Sequence, residues 1–181
     1  MRSWIVLFII SPLVIAGPAM AVPTWVSLGF GPGTASSSGS GQAWIGSRLA
    51  VQWGKGSTLW TVASAGCSEI DLFVDPLESV GDMGVLYGKR WSGPVGYISA
   101  SAGLALVNGM RRGEYRESSG VWFITSHYEK DPFVTVGVPA NVQLVLAPIK
   151  YFGLALDLFG NVNPERSFGG ATVSLLIGKM R

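Results

Sequence analysis

FVTVGVPANVQLVLAPIKYFGLALDLFG, residues 133–160, is written in steps of two. Val134, Val136, Val138, Ala140, Val142, Leu144 and Leu146 share one face of an extended chain. Thr135, Gly137, Pro139, Asn141, Gln143 and Val145 share the other. After a break at 147–150, Phe152, Leu154, Leu156 and Leu158 oppose Gly153, Ala155, Asp157 and Phe159. Successive side chains of a strand point to opposite faces, so this period places each strand between two different environments. The second face is not the Lys and Glu of a water-exposed sheet. Its small and amide side chains fit the interior of a small closed barrel, which has room for side chains and little else. The pattern therefore reads apolar out, polar in.

The same rhythm extends outward from this stretch. Strands are expected at 24–31, 43–53, 58–65, 82–91, 95–107, 133–146, 151–162 and 169–179, eight in all. Most have the roughly 9–11 residues that a tilted membrane-spanning strand requires. Connections at 54–57, 92–94 and 147–150 are tight, whereas those at 32–42, 66–81, 108–132 and 163–168 are long. Short periplasmic turns alternating with long outer loops are the asymmetry of outer-membrane barrels, and an even strand count returns both ends to one side.

Composition agrees. Only 13% of residues are charged, against about 25% for a soluble domain, yet no long apolar helix explains the deficit. At the N-terminus Met1-Arg2-Ser3 precedes the apolar run from Trp4 to Ala16 and then Gly17-Pro18-Ala19-Met20-Ala21. A basic start, a short apolar core and a small-x-small ending predict a signal peptide over residues 1–21 and a barrel domain over 22–181. Removing Arg2 with it leaves a net charge of about +1, which is no footprint for nucleic acid. The single Cys67 cannot form an internal disulfide.

Aromatic residues gather at the strand ends. Trp25, Trp53, Trp60, Trp91, Tyr97 and Tyr151 lie near the periplasmic ends, and Phe30, Trp44, Phe133, Phe159 and Phe168 near the outer ends. Two interfacial girdles are expected, with Trp44 and Phe159 turned inward by strict alternation.

Taken together, these segments resemble the small eight-stranded outer-membrane β-barrel proteins of the outer-membrane protein A/X type. The resemblance covers 23–181 and lies in pattern. It implies an all-β, antiparallel, up-and-down transmembrane barrel behind a cleaved signal peptide, located in a bacterial outer membrane. Barrels of this type commonly end in an aromatic residue, and this chain ends Gly178-Lys179-Met180-Arg181.

Two groups of residues carry the candidate chemistry. Alternation turns Arg48 inward with Gly46, Ala50 and Gln52, and turns Asp157 inward at similar depth. A buried charge needs a partner, so Arg48, Gln52, Asn141, Gln143 and Asp157 are expected in one interior polar network. The third outer loop concentrates charge, and Ser118-Ser119-Gly120 reads as the turn of a hairpin protruding from the membrane. Arg111, Arg112, Arg116, Trp122, Phe123 and Tyr128 there are a candidate surface for an extracellular partner, since aromatics and arginine dominate interface hot spots. Lipopolysaccharide is a second expected contact, its phosphates matching the arginines.

No metal or other cofactor is expected. His127 is the only histidine, and no cysteine pair stands at ligand spacing. Ser126 and His127 are adjacent and would point to opposite faces of a strand. These features point to a non-enzymatic structural or cell-surface barrel with a closed interior. The alternatives are a lipid A-modifying hydrolase or acyltransferase working from the outer loops near His127, and a soluble periplasmic ligand-binding barrel with inverted faces.

Overall fold

A computed structural model describes residues 22–36, 42–71, 74–119 and 125–180. The strands are β1 (Thr24–Ala35), β2 (Ala43–Trp53), β3 (Thr58–Ile70), β4 (Val74–Asp75), β5 (Ser79–Ser92), β6 (Gly96–Ser119), β7 (Thr125–Ile149), β8 (Phe152–Val162) and β9 (Phe168–Lys179). Eight of them, all but the two-residue β4, pair antiparallel with their neighbours around a closed ring. β1 pairs with β9, and β7 pairs with both β6 and β8. Closure satisfies every wall strand on both sides and leaves no open edge, which a sheet in hydrocarbon requires.

The alternation resolves as outside against inside. Val134, Val136, Leu104 and Leu106 are 64–76% exposed, whereas Gln52, Gln143 and Asp157 are fully buried. The wall is therefore apolar outward around a polar interior, opposite to what a soluble ligand-binding barrel needs.

The tight-turn end is built from short local bonds. Gly56 adopts a φ of 62°, open to glycine at little cost, and the Thr58 N–H closes this turn on the Lys55 carbonyl at 3.2 Å. Gly93 N–H donates to Gly96 O at 2.8 Å across the second turn. At the third, Met180 N–H donates to Lys150 O at 3.1 Å, drawing the end of β9 beneath the wall.

Several expectations are corrected. The first and third strands, which read as short, run to Ala35 and Ile70, so most of the expected outer loops is strand. The third loop is a hairpin ribbon as expected: β6 and β7 stay paired from Arg111↔Asp131 out to Ser119↔Thr125, with register shifts between Arg112 and Glu117. The expected turn residues Ser118 and Ser119, however, are paired strand, and Gly120 lies outside the described residues. Beyond Met110, the last β6 residue paired with β5, nine residues of β6 extend about 30 Å at the usual strand rise.

The girdles are also corrected. At the tight-turn end Trp60, Trp91 and Tyr151 face outward, joined by Tyr87 and Phe152, but Trp25 and Tyr97 are buried inside. At the long-loop end only Phe30 of the expected set faces outward. Trp44, Phe133, Phe159 and Phe168 pack inside with Cys67, Val80 and Val107. Trp44 and Phe159 turn inward as alternation requires, whereas Phe133 and Phe168 leave the expected outer girdle to join them. The reason is parity: a ring near a strand end faces lipid only if its position falls on the outward count.

Candidate functional site

The interior is a stack of side-chain layers. Nearest the tight turns, Arg90 lies 5.6 Å from the Trp25 ring and 5.5 Å from the Tyr97 ring. Its guanidinium donates to Gly56 O at 3.1 Å and Met180 O at 3.4 Å. Leu59, Leu176 and Met180 pack with these rings at this end. Next, Gln52 accepts a hydrogen bond from Trp25 Nε1 at 2.9 Å and donates to Thr61 at 3.4 Å.

Deeper lies the ionic layer. Asp157 is wholly buried and accepts from Gln143 at 2.8 Å, from Asn141 at 3.4 Å and from Ser174 at 2.5 Å. Arg48 Nη1 stands 3.5 Å from Asp157 Oδ1. No directed hydrogen bond reaches either terminal nitrogen of Arg48, so the contact is Coulombic. Gly29 gives this layer its room: a Cβ there would lie 2.1 Å from Ser174 Oγ. A second carboxylate, Asp82, accepts from Asn161 Nδ2 at 2.6 Å and from the Ala65 N–H at 3.2 Å.

Four of the five interior residues singled out in the sequence thus meet: Arg48, Asn141, Gln143 and Asp157. Gln52 shares their face but bonds in a separate group with Trp25 and Thr61. Asp82 and Arg90 went unnoticed, although alternation through Asp82, Gly84, Leu86, Gly88 and Arg90 turns both inward.

Above the aromatic layer, the long-loop end is tied by ion pairs. Asn163 makes an Asx turn, its Oδ1 accepting from Arg166 N at 2.8 Å and from Glu165 N at 3.1 Å. That turn aims Arg166 back over the barrel, 5.0 Å from the Trp44 ring. Arg166 donates to Ser36 O at 3.1 Å and to Glu78 at 2.7 Å. Glu78 also accepts the Arg112 N–H at 3.2 Å. Burial works against the charge on Glu78, but the bonds and charges of Arg166 and Arg112 outweigh it and hold its carboxyl below the ordinary value. Through Glu78 and Arg166, the stems of the first, second and fourth loops and β6 are bound together. The second loop also reaches the ribbon, where β4 pairs in parallel with Ser126–His127.

The arginines of the candidate partner surface are engaged at home. Arg111 pairs with Asp131 at 3.2 Å and Glu165 at 3.0 Å, and lies 4.9 Å from the Phe133 ring. Arg112 pairs with buried Glu69 and lies 5.8 Å from the Tyr128 ring. Arg116 pairs with Glu129 on the exposed ribbon. Tyr128 meets Tyr115 edge-on at 5.6 Å. Trp122 and Phe123 lie outside the described residues, as does the expected signal peptide over 1–21. Among the described residues no three His, Cys, Asp or Glu side chains gather as a metal site.

No family model matches the chain, and no curated protein matches it in sequence. Its fold does match solved structures. Neisserial surface protein A is similar with a TM-score of 0.63 at 10% identity, over 85% of this chain and 96% of that one. Ail, the attachment invasion locus protein of Yersinia pestis, is similar with a TM-score of 0.57 at 9% identity, over 87% and 97%. The N-terminal β-barrel domain of Pseudomonas aeruginosa OprF gives 0.52 at 11% identity, over 86% and 97%. The architecture is that of the small eight-stranded outer-membrane barrels.

Proposed function

We propose that this chain is exported on a cleaved signal peptide, residues 1–21, and that residues 22–181 reside in a bacterial outer membrane as a non-enzymatic barrel. It acts there as a structural wall element that presents its outer ribbon to surface partners. The tight turns face the periplasm and the long loops the cell exterior. One observation carries this reading. The outward wall is a band of exposed Val and Leu, while the inward side chains are buried and include an apolar cluster toward each end. Such a barrel is at home in lipid and has no lumen for general diffusion.

Partner contact is assigned to the ribbon because it projects furthest from the wall and carries exposed Tyr115, Arg116 and Glu129. The three arginines already hold carboxylates, so contact with lipopolysaccharide phosphates requires exchange of those pairs. Membrane fractionation and heat-modifiable migration of the unboiled protein test residence. Planar-bilayer recording is expected to show no sustained conductance; steady channels would overturn the closed interior. Mass spectrometry of lipid A with and without expression is expected to show identical species, and a changed acyl pattern would overturn the non-enzymatic reading.

A further inference from the structure

The charges are sorted along the barrel axis. All eleven acids of the chain lie in the interior or toward the long loops. The five stretches that build the tight-turn end, 22–27, 49–63, 85–100, 142–156 and 175–180, contain no Asp or Glu. They contain Lys55, Lys89, Arg90, Lys150 and Lys179. Arg90 is consumed inside the mouth, whereas Lys55, Lys89 and Lys150 are exposed and Lys179 is half-buried. None of the four lysines is ion-paired among the described residues.

Their placement is circumferential. Lys55 sits in the β2–β3 turn, Lys89 on β5, Lys150 in the β7–β8 turn and Lys179 at the end of β9. In ring order that is about one lysine for every two strands. The register puts Lys89 opposite Thr58 and Lys179 opposite Thr24, so both are level with the first residues of their neighbours.

We infer that this collar binds anionic phospholipid headgroups of the periplasmic leaflet. The claim rests on the membrane reading proposed above. Direction favours lipid over a soluble acidic partner. Lys89 points sideways from the wall, between outward Tyr87 and Trp91, and Lys150 Nζ lies 5.3 Å from the Tyr151 ring. Aromatic rings of this kind sit at headgroup level, and a lysine among them lays its stem along the rings and its ammonium in the phosphate layer. A partner approaching along the axis would meet the mouth closed by Arg90 and Met180 instead.

The test reconstitutes the full mature chain in nanodiscs of mixed phosphatidylglycerol and phosphatidylethanolamine, and counts co-retained lipids by native mass spectrometry. One basic residue near a lipid surface contributes about 1 kcal/mol, roughly a fivefold preference. Wild type is expected to retain phosphatidylglycerol about fivefold over its bulk proportion, less at high salt. K55Q/K89Q/K150Q/K179Q is expected to fall within about twofold of bulk, while K130Q on the outer ribbon leaves the ratio unchanged. Each single Lys→Gln variant on the collar is expected to lose part of the preference, so the result does not hang on the quadruple variant's folding. A wild-type ratio equal to bulk, or a ratio that survives all the collar substitutions, overturns the collar while a heat-modifiable, inserted barrel keeps the membrane reading. Failure of wild type to insert overturns both.

Discussion

Arg48 and Asp157 set the terms of the interior. Isolated ions of this size cannot be left unpaired away from water, and removing one partner of a buried pair typically costs about 3–5 kcal/mol. D157N is therefore expected to lower unfolding free energy in detergent by about 3 kcal/mol. R48M/D157N should recover most of that loss, because no uncompensated cation remains; a denaturant titration that finds D157N neutral would sink the pairing. Gly56 makes a contrasting case. With φ at 62° and open space where a Cβ would stand, G56A should cost about 1 kcal/mol through backbone strain alone. At this scale much was legible in the sequence, because parity alone turns Arg48 and Asp157 inward. The grouping of the amides was not legible. Gln52 has the same parity as Arg48, but which inward residues meet depends on register across the ring, which no single strand encodes. Arg166 was beyond reach for another reason, since its direction is set by the Asn163 turn rather than by alternation.

The elements divide between wall and superstructure. Wall strands announced themselves through Val and Leu every second residue, but their outer ends did not, because beyond the apolar band the alternation fades. The ribbon is where this matters most: a hairpin was legible there, but Ser118 and Ser119, which read as its turn, are still paired strand. Its root is fastened by Arg112 and Glu69, and the neighbouring loops by Glu78 and Arg166. Because the Glu78 carboxyl is held below its ordinary value, the tie contributes stability above the unfolded carboxyl's pKa. That contribution is lost as pH falls through the lower folded value. Hydrogen exchange should show the Ser36 amide, bonded to Ser167 O at 2.7 Å, protected near neutral pH and losing protection only at a pH below the ordinary carboxyl value. E78Q should lack this transition; an unchanged profile in E78Q would place the tie elsewhere. Replacing residues 113–128 with a tight turn should leave heat-modifiable migration intact, since among the described residues the strand pairing of that stretch is with itself and β4.

The whole molecule is a ring of strands with a packed centre, polarised from a basic collar to a rim where acids and arginines interlock. Its class was legible because eight repetitions of one signal outweigh any ambiguous boundary. Its filling was less so: Phe133 and Phe168, expected at the outer interface, pack inside beside Trp44 and Phe159. Closure itself has one more consequence. β1 and β9 are hydrogen-bonded neighbours, with Thr24 opposite Lys179, so the barrel's first and last strands differ from any other adjacent pair only in lacking a covalent link. A short linker across that seam, with the chain reopened at the Gly93–Pro94 turn and the proposed export signal moved to the new start, should give a circular permutant. It should refold into the same heat-modifiable barrel, because connectivity is tolerant where ends already meet.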